Sequence, residues 1–205
     1  MSSTSLLWGL FIIGGFFSGS IMNCSLLPRQ LLNMDIASIS SDHNPGAANV
    51  FIQCGVPLGL TCLFLDMAKG FVPVFLATRY LDYHCILFAF GIAAPVLGHA
   101  VAPLNHFNGG KCIATSFGVV LGLLPITPIV WLLAFLYIIF STIVKINPNR
   151  VRSIVTFVLF GGFSFAILSF HDKYSIALGC LLLSLTAIFK HTRYCMKDDE
   201  THIET

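Results

Sequence analysis

The sequence predicts an all-α, polytopic integral membrane helix bundle of about seven transmembrane helices. Three observations predict it. Of 205 residues, 56% are hydrophobic and 10% are charged, against about 25% charged in an ordinary soluble domain. Mean hydropathy is +0.86. The apolar residues also fall in long runs parted by short polar breaks, and a crossing needs about 20 residues, so the chain holds at most about seven. Residues 1–205 therefore read as one transmembrane domain, and any chemistry lies within the bundle or at its edge.

The elements follow in order. No Lys or Arg precedes Arg29, so the first apolar run lacks the basic start of a cleaved signal peptide. It reads as a retained helix over about Leu6–Leu27. Asn23-Cys24-Ser25 matches a glycosylation sequon at the end of that helix and is read as chance. A polar stretch, Pro28–Asn49, comes next. Val50–Tyr80 is a long apolar region holding Asp66 and Lys69, which share one helix face at i,i+3 spacing. Ionisable residues at membrane depth are costly and usually paired.

A third run, about Cys85–Leu104, ends with Gly98-His99 and Pro103. A break at Asn105–Lys111 follows. Ile113–Val144 is too long for one crossing, and Pro125 and Pro128 interrupt it, which predicts a helical hairpin. Lys145, Arg150 and Arg152 mark another break. Two last spans, about Ile154–Phe170 and Ser175–Phe189, flank His171-Asp172-Lys173, and residues 190–205 form a polar tail.

Basic residues in short loops favour the cytoplasmic side. The 145–152 loop has Lys145, Arg150 and Arg152 and no acidic residue, and the tail opens with Lys190, Arg193 and Lys197. Both are expected in the cytoplasm. Counting back places Lys111 and Pro28–Asn49 on that same side, the N-terminus outside and the C-terminus inside.

Charge and composition also exclude classes. Eleven basic and nine acidic residues give +2, which is no nucleic-acid footprint. The seven cysteines form no C-x-x-C and are expected as buried, reduced thiols. His99 and His106 lack zinc-ligand spacing. No metal, nucleotide or flavin signature is present, so no cofactor is expected. The absence of a visible internal repeat argues against a transporter. Nothing calls for an oligomer interface, and a monomer among membrane lipids is expected.

Two segments can carry chemistry. Ser41–Asn49 is small and polar and opens a helix. Backbone N–H groups at such a start, approached past Gly46, favour anions, with Asn44 and Asn49 as added donors. The other reading is a helix cap and turn without a ligand. Asn108-Gly109-Gly110-Lys111 also precedes an apolar helix. Its glycines free the backbone to form a nest of N–H groups, with a cation beside it. A nucleotide-binding loop would need Gly at Asn105 and Ser or Thr at Cys112, so that motif is absent. Together the two starts suggest a site for phosphorylated substrates at the membrane surface.

These segments make the chain similar to a known family. Gly19-Ser20-Ile21 resembles the Gly-Ser-Ile-Pro opening of the bacterial acyl-phosphate-dependent glycerol-3-phosphate acyltransferases (PlsY type), with Met22 in place of Pro. Asn44-Pro45-Gly46-Ala47-Ala48-Asn49-Val50 resembles N-I-G-A-T-N-V, and Leu65–Gly70 resembles L-D-x-x-K-G. Gly98-His99, Pro103, Phe107, Gly109-Gly110-Lys111 and Ala114-Thr115 keep the spacing of G-H-x3-P-x3-F-x-G-G-K-x2-A-T.

The resemblance implies transfer of an acyl group from acyl phosphate to glycerol 3-phosphate. The products would be lysophosphatidic acid and phosphate, with no covalent acyl-enzyme, at the cytoplasmic face of a bacterial cell membrane. It implies catalytic roles for Lys111, His191 and Ser153. It implies substrate binding by Asn44, Gly46, Asn49, Lys69, His99, Gly109, Gly110 and Arg150, with His99 orienting the glycine loop.

The chain departs from the family pattern at several positions. Asp42-His43 replace Ser-Gly, Ile52 replaces an Arg, Arg150 replaces the first Ser of S-L-x-S-I, and Tyr194 replaces an Asn. An Asp beside an anion site repels the anion unless it is paired. Arg150 and Arg152 are the expected compensation for the charge missing at Ile52. The same departures support a second reading, a homologue that binds phosphorylated lipid precursors without transfer or uses another acceptor.

Overall fold

A computed structural model describes the backbone from Ser3 to Ile203 and the side chains from Ser5 to Arg193. Among the described residues the chain is helical, with turns and no strand. The helices are α1 (Ser3–Ser20), α2 (Asn23–Leu32), α3 (Ile36–Ile39), α4 (Ala47–Cys54), α5 (Val56–Tyr80), α6 (Leu87–Val101), α7 (Ile113–Gly122), α8 (Val130–Ile138), α9 (Asn149–Phe170) and α10 (Tyr174–Ile203). A 3-10 turn at Pro103–Asn105 follows α6, and a π turn at Ile139–Ile143 extends α8.

Four segments are long and apolar enough to cross a membrane: α5, Leu87–Asn105, α9, and α10 as far as Arg193. The bent pair α1–α2 makes a fifth if it counts as one broken span. Helices α7 and α8 are shorter and sit where the hairpin was expected, on either side of the Pro125–Pro128 turn.

Three expected boundaries are corrected. The helix expected over Leu6–Leu27 breaks after Ser20, and α2 leaves at 42° to α1. Pro28, expected to open the polar stretch, lies inside α2. The region Val50–Tyr80 splits at Gly55, whose φ of 85° suits glycine and stops α4 before α5 begins.

A buried polar cluster holds the α1–α2 elbow. The expected Asp66–Lys69 pair forms at 3.0 Å, with both side chains almost wholly buried. The Lys69 ammonium also donates to the Ile21 carbonyl. Asp66 accepts from Asn23 Nδ2 at 3.1 Å and from Cys24 Sγ at 3.2 Å. The cation therefore faces the carbonyl end of α1 and the carboxylate faces the N-terminus of α2, the arrangement that both helix dipoles favour. Backbone groups freed by a break at membrane depth need such partners.

Elsewhere, close backbone approach sets the packing. A Cβ at Gly19 would overlap the Pro95 carbonyl, and one at Gly98 would overlap the Phe16 carbonyl. Helices α1 and α6 thus meet through small residues, as membrane helices often do. Helix α10 packs on both α6 and α9, and α5 on α7. Phe88, Ile92, Phe157, Phe160 and Leu183 fill the centre. Large apolar side chains such as Phe64, Trp131 and Phe170 face outward, which suits a lipid solvent. The cysteines described are all unbridged, and Cys24, Cys62, Cys112 and Cys180 are buried; Cys195 lies outside the described side chains.

Candidate functional site at the polar end of the bundle

Three of the polar breaks meet at one end. The α3–α4 region supplies His43 and Pro45, the loop after α6 supplies Phe107, Asn108 and Gly109, and α10 supplies Lys190 and Arg193. With Asp35, Ala37 and Ser38 they line a cleft of about 510 Å³.

The glycine loop is held against α6. The Gly110 N–H donates to the His99 carbonyl at 3.2 Å. A Cβ at Gly109 would overlap the His99 and Ala100 carbonyls, and one at Gly110 would strike the His99 ring. The His99 ring and carbonyl are thus in close contact with this loop. Left-handed residues at Ala102, His106, Phe107 and Cys112 give the loop its tight curl between α6 and α7.

The opposite wall is built on Asp42. Its carboxylate accepts from Lys111 Nζ at 2.6 Å and from Asn49 Nδ2 at 2.8 Å. Asn49 also donates to the Asn44 carbonyl at 2.7 Å, and Gly46 N–H donates to that same carbonyl at 2.8 Å. Asn44, Gly46 and Asn49 thus form one turn at the start of α4, and Lys111 is tied to it. The Asp42 carboxyl feels opposing effects: partial burial pushes its pKa up, while the hydrogen bond and charge of Lys111 pull it down, with Asn49 adding to them. The net result lies below the ordinary carboxylate value. The pair lies near the cleft: His43 adjoins Asp42, and Gly109 stands two residues before Lys111.

Several buried polar atoms here lack partners. Both ring nitrogens of His191, the Asn44 Oδ1 and the His99 Nδ1 are buried without a hydrogen bond. Such atoms are rare because each forfeits its hydration. His191 lies on α10 within electrostatic reach of Lys111 and Asp42.

The remaining expected site residues stand apart. Lys69 is committed to the elbow. Ser153 is buried on α9, and its hydroxyl donates to the Asn149 carbonyl at 3.0 Å. Arg150 lies in the first turn of α9, and neither residue lines the cleft. Ile52 is 76% exposed on α4. The side chain of Tyr194 lies outside the described residues. Sequence reasoning missed the Asp42–Lys111 pair, and it missed Arg193 as a cleft residue. The signal for Arg193 was its i,i+3 spacing from Lys190 on one helix face.

Comparison with known proteins bears on this site. The family model for glycerol-3-phosphate acyltransferase matches residues 9–196. A glycerol-3-phosphate acyltransferase of Maridesulfovibrio salexigens is 38% identical over 132 residues, 63% of this chain and 67% of the relative. One from Hydrogenobaculum sp. is 31% identical over 191 residues, 88% of this chain and 91% of the relative. The crystal structure of PlsY (YgiH), an integral membrane glycerol 3-phosphate acyltransferase in its glycerol 3-phosphate form, shares the fold. Its TM-score is 0.77 at 23% identity, covering 91% of this chain and 89% of that one. From the match over residues 9–196 and these relatives, the chain belongs to the glycerol-3-phosphate acyltransferase family.

Proposed function

We propose that this protein transfers an acyl group from acyl phosphate to glycerol 3-phosphate, giving lysophosphatidic acid and inorganic phosphate. The observation that carries the reading is the cleft where the glycine loop, the Asn44–Asn49 turn and α10 meet, beside an unpartnered buried His191. Family membership supplies the reaction class.

The chemistry needs little from the protein. Acyl phosphate is a mixed anhydride, already activated. The acceptor hydroxyl attacks the carbonyl carbon, the new ester C–O bond forms, and the bond from that carbon to the phosphate oxygen breaks. The hydroxyl proton passes to His191 and then to the departing phosphate. Lys111 and the N–H groups of Gly109-Gly110 stabilise charge on that phosphate. Asn44 and Asn49 help fix substrate orientation, a contribution of the positioning kind. Ser153, whose hydroxyl donates to the Asn149 carbonyl, and Arg150, in the first turn of α9, are assigned no step in this scheme.

The site-bearing end is the cytoplasmic one, on the Lys and Arg bias of its loops. The elbow is read as one crossing, the four long spans as four, and the shorter α7 and α8 as the two arms of the hairpin, which brings the count to seven. Seven crossings put the N-terminus outside and the C-terminus inside a bacterial cell membrane. The protein acts as a monomer among membrane lipids.

The pairing of Asp42 with Lys111 favours a second reading, binding of phosphorylated lipid precursors without transfer. One experiment separates the two. The purified protein in lipid nanodiscs is given acyl phosphate with and without glycerol 3-phosphate, and phosphate release is measured. Release that depends on the acceptor supports transfer. Bound glycerol 3-phosphate with no release supports the second reading.

A further inference from the structure

The family pattern places an Arg where this chain has Ile52, and Ile52 faces outward from α4. The question is which cation serves the cleft instead. Arg150, the expected substitute, does not line it. Lys111 is beside it but bound to Asp42 at 2.6 Å, so part of its charge is already answered. Lys190 lines the cleft while its ammonium donates to the Ala100 carbonyl at 2.9 Å, at the end of α6. Asp35, an acidic member of the lining, is engaged in capping α3 through the Ala37 N–H at 3.1 Å.

Among the described residues, Arg193 is the remaining cation on this wall. It lies one turn beyond Lys190 on the same face of α10, exposed, and lines the cleft together with Asn108 and Gly109. His191, between them, turns into the bundle and is buried. A guanidinium offers a planar fork that matches two oxygens of a phosphate, which an ammonium cannot do.

We propose that Arg193 binds the terminal phosphate group of a phosphorylated substrate in this cleft from the α10 side, supplying the guanidinium that the chain lacks at Ile52. The proposal rests on the acyl-transfer reading for its substrates but not for its test. Two sources share the phosphate chemistry, the glycerol 3-phosphate acceptor and the acyl phosphate donor, and kinetics tell them apart. Because Arg193 is exposed, its truncation leaves the bundle intact, and a melting curve of each variant checks this.

The test uses full-length protein in nanodiscs. R193A raises KM about tenfold or more for one phosphorylated substrate, with kcat kept within about threefold, the loss expected for one charged partner of a phosphate. The substrate whose KM moves identifies the source. R193K recovers only part of the loss, because it restores charge without the fork. Calorimetric binding of glycerol 3-phosphate and of inorganic phosphate gives a readout that needs no turnover. An inactive wild type whose phosphate binding falls in R193A would refute the transfer reading and leave the Arg193 assignment standing. An active enzyme whose KM values and phosphate binding are unmoved by R193A, or whose loss follows R150A instead, overturns the assignment.

Discussion

Replacing Asp42 with Asn tests whether this carboxylate competes with substrate. The carboxylate lies 2.6 Å from Lys111 Nζ, with the two side chains 33% and 18% exposed. A phosphate reaching Lys111 from the cleft side would stand about 5 Å from the carboxylate. At that distance a dielectric of about 40 to 80, suited to a partly exposed pair, gives repulsion of about 0.8 to 1.7 kcal/mol per unit charge. Asn keeps the oxygen that accepts from Asn49 and removes the charge. D42N should therefore lower KM for a phosphorylated substrate about 4- to 15-fold at 1.4 kcal/mol per tenfold. The assay is initial-rate phosphate release in nanodiscs at fixed pH and ionic strength, with added salt narrowing the difference. An unchanged or higher KM in a variant that melts like the wild type would refute the reasoning. Asp42 would then serve to position Lys111 rather than to compete for it.

Further outcomes are expected. The Asp42 pKa is lowered from 3.8, so its pairing stabilises the α3–α4 loop above that pH and is lost as pH falls through the lower folded value. Melting temperature should drop on acidification below about pH 4, and D42N should flatten that part of the profile. D66A leaves Lys69 as an unpaired buried cation and should cost about 3–5 kcal/mol; a smaller loss in the D66N/K69M double variant, read by melting in lipid, would confirm pairing as the cause. G109A forces the loop off the His99 and Ala100 carbonyls and should abolish most activity with little change in melting. G9A, at a glycine with open space around it, should leave both unchanged. H191Q should lower kcat about 100-fold or more with substrate binding retained, as loss of a proton acceptor predicts.

Much of the fold was legible because apolar length and proline spacing act locally. The long spans and the Pro125–Pro128 hairpin follow from those rules alone. The elbow at Ile21-Met22 was not legible, because the groups that satisfy it come from Asp66 and Lys69, more than forty positions away. The pairing of those two with each other was legible at i,i+3, but their hold on α1 and α2 is tertiary. The site was readable in its backbone parts, Gly109-Gly110 and the Asn44–Asn49 turn, since glycine and asparagine announce unusual backbone. Its charge balance was not. Asp42 and Lys111 are 69 positions apart, and nothing local says that one neutralises the other or that Arg193 faces the cleft while Arg150 does not.

The ties at both ends of α10 have a mechanical consequence. Near its start, Ser175 donates to the Tyr83 carbonyl just before α6, and near the cleft Lys190 donates to the Ala100 carbonyl at the end of α6. Two struts joining two rods keep them in step. Helix tilt responds to bilayer thickness, yet α6 and α10 must then lean together, carrying His99, the glycine loop anchored on it and His191 as one piece. The opposite wall, on α3 and α4, has no such brace to α10 among the described residues. A thinner or thicker membrane therefore leaves the spacing from His191 to Gly110 unchanged, and a shift between the two walls loads the Asp42–Lys111 pair that joins them.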